Sequence, residues 1–442
     1  MSISQTFFTF INQYYDPKYP VLLGLSGGAD SLALLYLLEE YRIKKGIKYS
    51  IAHVDHGWRK ESEQESQDLQ RLAKELQVQF HLKKLNPQNM RGNLEEVCRL
   101  ERLNFFSHLC QQEGYQAVIL GHHADDQSET VLKKILEGGS LTHLHGMLPQ
   151  STYQNLSIWR PLIPCTKNQI LDWIREKNLQ HFEDSTNLDK KFLRGRMRTS
   201  ILPQLNEQFG KNVGESLCRI GHESYELKSY LEKNLREELL GVVKGPFGSL
   251  LDLSKSKVCD FELKYLLKKV CEGEGIRLPY SLRDSILQKI RDKSANCVFE
   301  AKGIHIQVDR SRIFIMQEAL KDFEEEILLR EGCYQVGSWS IEVLADCAHF
   351  IPRTGWRSAW QGEWAIQIPR GKYFLTRANV SFSKQWTDAK VPAFMRYKFP
   401  ILRNHTSMEL EFLTSKTLFQ RLNHDDKQWF VFVKFKNKIK SG

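Results

Sequence analysis

No run of about 18 apolar residues occurs in the 442-residue chain, and Met1 to Ile11 carry no basic-then-apolar leader, so a soluble, untargeted, cytoplasmic protein is expected. Cys-x-x-Cys is missing as well. The nine cysteines are scattered singly from Cys98 to Cys347, an odd number without close spacing, which speaks against a disulfide framework and for packed thiols in a reducing compartment. The same scatter offers no zinc-ligand spacing, and the neighbours His122 and His123, at a predicted strand end, should point to opposite faces rather than share a metal. Internal repeats and low-complexity segments are lacking too.

What remains is a chain that is 41% apolar, enough for packed cores in about three domains. Its net charge of +10 is placed unevenly. Residues 351–442 hold 17 Lys and Arg against 6 Asp and Glu, whereas the first 350 residues hold 46 against 47. The basic stretch is interleaved with Trp360, Trp364, Tyr373, Phe374, Trp386, Phe394, Tyr397 and Phe399. Cations with aromatics suit a polyanion whose bases can stack, and RNA is the partner expected of them.

The chain is organised around Gly24-Leu25-Ser26-Gly27-Gly28-Ala29-Asp30-Ser31, which joins the apolar run Val21-Leu22-Leu23 to the leucine-rich run Leu32 to Leu38. A strand, a Gly/Ser turn and a helix in immediate succession aim the helix N-terminus, with its unpaired N–H groups and positive dipole end, at whatever sits on the turn, and such a site takes anions. Gly27 and Gly28 let phosphate oxygens approach the main chain, and Ser26 and Ser31 add hydroxyls. No lysine follows the glycines, so this is not a Walker loop but a phosphate loop of another type. Asp30, in the first helical turn, would repel a triphosphate unless Mg²⁺ stood between them; helix capping is the plain alternative.

Downstream, Tyr49–Asp55, Phe80–Leu82 and Ala117–Gly121 read as strands, and Glu61–Val78, Leu94–Cys110 and Asp125–Leu136 as helices. That alternation implies a parallel sheet with ligands at the carboxyl ends of its strands. His53-Val54-Asp55-His56-Gly57-Trp58-Arg59 follows the second strand and either holds a nucleotide or pins a loop. His123-Ala124-Asp125-Asp126-Gln127-Ser128-Glu129-Thr130 follows the fourth, with Asp125 and Glu129 on one helix face. An uncompensated acidic face invites Mg²⁺ or a substrate ammonium, unless the acids merely serve the helix dipole. After Trp159-Arg160-Pro161-Leu162 and a helix from Lys167 to Lys177 comes the basic run Lys190, Lys191, Arg194, Arg196 and Arg198, a charged helix or a phosphate-docking face. Residues 206–294 are helical in pattern, and alternation takes over from Cys297 to Met316 and again from Tyr334, with a helix near Ser383–Met395.

Ser26 to Ser31, His53 to Arg59, Asn93-Leu94-Glu95 with Arg99 and Arg102, His123 to Thr130, Arg160-Pro161-Leu162, and Asp184 with Asn187 leading to Arg194, Arg198 and Pro203 stand in a telling order. Over residues 20–205 the chain resembles the tRNA(Ile)-lysidine synthetases of the PP-loop ATPase family. It departs from them at Leu103, where Tyr is usual, and at Gly195, where Asn is usual. The resemblance implies a parallel-sheet α/β PP-loop catalytic domain over 1–205, a mainly helical middle domain over 206–320 and a basic α+β tRNA-binding domain over 321–442. It implies ATP as a substrate with Mg²⁺, the nucleotide lying on Ser26, Gly27, Gly28, Ala29, Asp30, Ser31, His53 and Val54 and the metal on Asp30. Asp30, Asp125, Asp126 and Glu129 would be the catalytic, lysine-binding or metal-binding acids. Arg99, Arg102, Arg194, Arg196 and Arg198 would face the anticodon loop and stem of isoleucine tRNA. The implied reaction adenylates the C2 carbonyl oxygen of the wobble cytidine at position 34 of a CAU anticodon, and the ε-amine of free L-lysine then displaces AMP. A sulfur-transferring relative would need catalytic cysteines, and a small-molecule amide synthetase would have no use for the basic, aromatic tail; a non-catalytic nucleotide sensor that binds RNA is the third alternative.

Overall fold

The computed structural model describes residues 2–57, 61–86, 94–179, 193–301, 303–316, 318–378, 382–404, 409–414 and 428–435. Arg59, Asn93, Asp184, Asn187, Lys190 and Lys191 lie outside the described residues, as does the side chain of Glu95. The chain divides into two compact units, Met1–Tyr230 and Leu231–Gly442.

In the first unit, Ser2 caps α1 (Ile3–Tyr14) in a reciprocal pair with Gln5. The order continues as β1 (Val21–Gly24), α2 (Ala29–Lys45), β2 (Tyr49–Asp55), α3 (Glu61–Glu75), β3 (Phe80–Lys84), α4 (Leu94–Glu113), β4 (Val118–Ile119) and α5 (Ala124–Leu136). The hairpin of β5 (Gln150–Tyr153) and β6 (Leu156–Trp159), then α6 (Lys167–Glu176) and α7 (Leu193–Arg196), complete the part that carries the motifs. The strands form one sheet in the order β3-β2-β1-β4-β6-β5, parallel throughout except for the β5–β6 hairpin. β1 thus lies between β2 and β4, where the winding reverses, and a crevice opens at the carboxyl ends of strands at such a point.

Both faces of the sheet are covered, which is why its strands read as unbroken apolar runs. Leu23 and Ile119 pack with α1, α2 and α6, whereas Leu22 and Val118 pack with α4 through Leu103, Phe106 and Leu109. Leu103, where the family's usual Tyr is replaced, is a buried member of the α4-side core, and Gly195 is buried in α7.

In the second unit, a five-stranded antiparallel sheet is built from β7 (Val243–Gly245), β8 (Gly248–Asp252), β9 (Cys297–Ala301), β10 (Ile304–Asp309) and β11 (Arg312–Met316), in the order β7-β8-β11-β10-β9. Two four-stranded antiparallel sheets follow. One is made of Gly332–Val336, Trp339–Leu344, Gln428–Phe435 and Glu363–Pro369; the other of Ile327–Leu328, Tyr373–Arg377, Pro400–Asn404 and Glu409–Leu410. The middle region expected to be mainly helical over 206–320 carries long helices, Val213–Asn234, Asp260–Gly273 and Tyr280–Arg291, beside this sheet. A boundary at 320 would also cut a continuous core, because Leu250, Phe314 and Met316 share one cluster with Phe323, Trp360 and Val433.

Two expectations about the basic stretch are corrected here. Trp360, Trp364, Tyr373, Trp386 and Phe399 are buried in that core, and the Trp386 indole N–H donates to the buried Glu411 carboxylate at 2.9 Å. A buried aromatic contributes its area to folding and has no face left for a base. Four of the cations, in turn, meet acids of the segment that precedes them. Asp322 pairs with Arg377 at 2.9 Å and Lys398 at 2.5 Å, Glu326 with Arg403 at 2.9 Å and Glu331 with Arg370 at 3.5 Å. Among the described residues, no helix is long and apolar enough to cross a membrane, and all nine cysteines are free thiols.

Candidate active site

β1 ends at Gly24 and the chain turns through Leu25 to Gly28 into α2. Gly27 has φ of +91°, a conformation L side chains avoid, and Gly28 caps α2 in an extended conformation with no side chain bonded to the first-turn amides. Ser31 Oγ accepts from the Ser26 N–H at 3.2 Å and donates to the Gly28 carbonyl at 2.9 Å. Its one proton is used inside the loop, which leaves Ser26 Oγ, 3.1 Å away, as the donor to Ser31 Oγ; both hydroxyls expected to reach a ligand are thus engaged within the loop. Gly121, at the exit of β4, sits so close to α2 that an added Cβ would stand 3.1 Å from the Asp30 carbonyl carbon.

His53 pins this loop from β2. Its Nδ1 lies 2.8 Å from the Leu25 carbonyl oxygen, which can only accept, so Nδ1 carries the proton; Nε2 is 3.1 Å from Ser66 Oγ. Burial holds its pKa below the ordinary histidine value and keeps the ring neutral. Val54 belongs to the α4-side core, so a nucleotide would meet the main chain of this strand rather than either side chain.

The N-terminal turns of α2, α5 and α6 bring the acids together. Asp30 Oδ1 accepts from Lys167 Nζ at 2.7 Å, and the Lys167 backbone N–H donates to Asp125 Oδ2 at 2.7 Å. His123, the buried N-cap of α5, stands among three carboxylates: Nε2 is 3.7 Å from Asp30 and 3.5 Å from Asp126, and Nδ1 is 3.4 Å from Asp125. Burial pulls its pKa down, but those carboxylates outweigh burial and the value is raised. His123 in turn is the main reason that the Asp125 pKa is lowered. Arg198 closes the other side, with Nε 2.8 Å from Glu129 Oε1 and Nη2 3.0 Å from Asp126 Oδ1 and 3.2 Å from Glu129 Oε2. Glu129 is 2% exposed, and burial raises its pKa even with Arg198 forked onto it.

The acidic face expected to be uncompensated is thus answered on every acid. Arg198, grouped by sequence with the phosphate-facing cations, turns to Asp126 and Glu129; it rides on a π-helical turn, Met197–Ile201, an uncommon winding that nothing in the basic run announces. Lys167 was not singled out either: Thr166 and Gln169 mark a helix start, but nothing local marks a partner 137 residues away. No group of three or more His, Cys, Asp or Glu is set to cage a metal among the described residues. Mg²⁺ needs no such cage, since it commonly takes one or two carboxylates and completes its shell with phosphate oxygens and water, and the partly exposed Asp30 beside the loop fits that use.

His122 faces away from this cluster, toward Arg102, Arg160 and Arg194. Arg99, on α4 with Arg102, is exposed and pairs with Glu96 at 3.2 Å, and Arg194 and Arg196 are exposed on α7. The predicted cations therefore do not form one surface: Arg198 is with the acids, whereas Arg102 and Arg194 lie near His122.

The PP-loop domain family matches residues 2–205. A tRNA(Ile)-lysidine synthase of Protochlamydia amoebophila is 36% identical over 417 residues, which is 92% of this chain and 91% of that protein. The chain belongs to the tRNA(Ile)-lysidine synthase family. A tRNA(Ile)-lysidine synthase of Chlamydia muridarum is 38% identical over 280 residues, covering 63% of this chain and 85% of its own length. A solved structure, the U34-tRNA thiolase NcsA of Methanococcus maripaludis, is similar over 63% of this chain and 89% of that one, at 19% identity and a TM-score of 0.41. The matched PP-loop domain includes the turn into α2, and the Asp30–Lys167 and Glu129–Arg198–Asp126 groups stand at the same strand ends.

Proposed function

We propose that this chain ligates L-lysine to C2 of cytidine 34 in the CAU-anticodon isoleucine tRNA, consuming ATP and releasing AMP and pyrophosphate. As a family member it is a ligase-type, tRNA-modifying enzyme with an ATP-binding PP-loop domain. The observation that carries the finer reading is the meeting of an uncapped helix N-terminus with a buried, charge-balanced acid cluster at one sheet edge.

In the first step the cytidine O2 attacks the α-phosphorus of ATP, the bond from that phosphorus to the bridging oxygen breaks, and pyrophosphate leaves against the loop amides and Lys167. Mg²⁺, held by Asp30, would supply charge neutralisation for the phosphates. In the second step the lysine ε-ammonium sheds one proton, its nitrogen bonds to C2, and the adduct collapses as AMP leaves with O2, the second proton passing from the nitrogen to the departing phosphate. Asp126, Glu129 and Arg198 hold the lysine, and Glu129, made more basic by burial, takes the first proton. A base in an anticodon loop is already outside a duplex, so presenting it costs little unstacking. Arg99, Arg102, Arg194 and Arg196 in the first unit and the basic second unit hold the tRNA, and the reaction takes place in the cytoplasm.

The test is labelled-pyrophosphate release from ATP together with capture of labelled lysine on RNA. Release is expected to require tRNA, and capture to require both tRNA and ATP. Release that proceeds equally well without tRNA would overturn the reading.

A further inference from the structure

The exit of β4 separates two environments. His123 turns to carboxylates, whereas His122 meets a gathering of arginines: Arg102 on α4, Arg160 just after β6 and Arg194 on α7. Among the described residues no carboxylate enters that gathering. Among the described residues, the charges acting on Arg102 are those of Arg99 and Arg194, with Cys98 opposing them, and the charge acting on Arg160 is that of Arg99. Arg160 is seated by its own Nη1, which donates to the Leu148 carbonyl at 2.9 Å and to Ser151 Oγ at 2.8 Å. Its Nε, the Nε of Arg102 and Nδ1 of His122 are buried and have no hydrogen-bond partner in the protein.

Like charges drawn together and desolvated, each with an unmatched polar atom, are unfavourable in a folded chain unless a counter-charge completes them. The acids that could have served are engaged across the sheet, Asp30 with Lys167 and Asp126 and Glu129 with Arg198. We propose that Arg102, Arg160 and His122, with Arg99 and Arg194 at the rim, form a second phosphate pocket that takes a backbone phosphodiester of the RNA strand beside the target cytidine. The inference rests on the function proposed above and adds to it a site for the strand rather than for the base.

The chemistry suits a phosphodiester. Two planar guanidiniums present forked N–H groups to its two free oxygens. Burial, and then the neighbouring guanidiniums, push the His122 pKa well below the ordinary value, so the ring is neutral and can offer one N–H without adding to the repulsion. The PP-loop, by contrast, leads into α2, on the face shared with α1 and α6, while Arg102 projects from α4 on the opposite face. ATP phosphates on the loop and a strand phosphate at Arg102 would thus lie on either side of the β1 and β4 ends.

The experiment uses the full chain, with Arg102→Met and the charge-retaining Arg102→Lys. Binding of an anticodon stem-loop RNA bearing CAU is measured across a salt series, beside ATP binding and melting temperature. Arg102→Met is expected to weaken RNA affinity at least tenfold and to reduce the slope of log affinity against log salt by about 0.7 to 0.9, one phosphate contact. ATP affinity should stay within about twofold, and Arg102→Lys should keep the wild-type slope and recover part of the affinity. A loss of ATP affinity with RNA affinity intact would overturn the proposal by assigning the pocket to the nucleotide. Unchanged binding of both ligands, with a raised melting temperature, would overturn it by making the cluster a structural one. If Arg102→Met fails to fold, a steeply reduced salt slope in Arg102→Lys still counts against the proposal. Failure of the wild-type chain to bind the stem-loop would bring down the proposed function itself, a result distinct from wild-type binding that Arg102→Met leaves untouched.

Discussion

Acids meet cations in both units, and the pairs at Glu129 and at Asp322 lie at different depths. At the PP-loop edge Glu129 is 2% exposed and Arg198 reaches it from 69 residues away, with Asp126 on the same guanidinium. In the second unit Asp322 and Glu326 pair with cations that are themselves 34–55% exposed. A buried pair is costly to break because the survivor keeps an uncompensated charge out of water, by about 3–5 kcal/mol; an exposed pair is typically worth about 0–1 kcal/mol. The same chemistry therefore closes a buried cluster at the strand ends and, at Asp322 and Glu326, merely tempers a surface; the second unit has a buried pair of its own in Arg312 and Asp309.

The sharpest way to break this comparison is Arg198→Met, which strands Glu129. A loss of roughly 3–5 kcal/mol of unfolding free energy is expected in denaturant titration, and adding Glu129→Leu should recover much of it. A loss below about 1 kcal/mol in the single variant would show that the buried and exposed pairs do not differ as argued.

Asp30→Asn sits at an intermediate depth, its partner Lys167 being 35% exposed. Stability should change by about 1 kcal/mol or less, while tRNA-dependent pyrophosphate release falls at least a hundredfold, roughly 2.7 kcal/mol of barrier. Near-normal release, or a large drop in melting temperature, would make Asp30 a structural residue.

The histidine among the carboxylates gives a pH signature. The folded-state pKa of His123 is raised, so its contribution to stability is complete below about pH 6.5 and is lost as pH rises through the folded value. His123→Gln should flatten the stability profile above about pH 6.5; an unchanged profile there would remove His123 from the ledger of charges. Asp322 has the opposite sign: its pKa is lowered, chiefly by Lys398, so its contribution is lost as pH falls below the ordinary carboxylate range.

The smallest effect on stability is expected from Asp322→Asn, at about 0–1 kcal/mol. Its effect on RNA should be visible all the same, because Arg377 and Lys398 lose their internal partner and become available to phosphates. Tighter tRNA binding with a steeper salt dependence is expected, and weaker binding would show that the acidic segment positions those cations rather than competes for them.

How much of this was legible in the residue string varies with distance along it. The strand Tyr49–Asp55 is legible at its observed bounds and the strand-turn-helix succession at Gly24–Ser31 in kind, because a strand, glycines and a helix start are set by neighbours a few residues apart. The aromatic stretch misled for the opposite reason: nothing local distinguishes a Trp364 that fills a core from one that stacks on a base, and the choice falls to Leu250, Phe314 and Val433, far off in the chain.

The sequence by itself determined the PP-loop and its helix, the strand-helix alternation, the family, and which residue types stand at each strand end. Only the tertiary structure decided which charges meet. Lys167 came to Asp30 and Arg198 to Glu129 because the order β3-β2-β1-β4-β6-β5 sets β4 beside β1 and β6 beside β4, and so gathers the segments that follow these strands at their carboxyl ends. An ion pair across 69 or 137 residues has no local pattern; it exists because folding places its members within about 3 Å and removes the water between them.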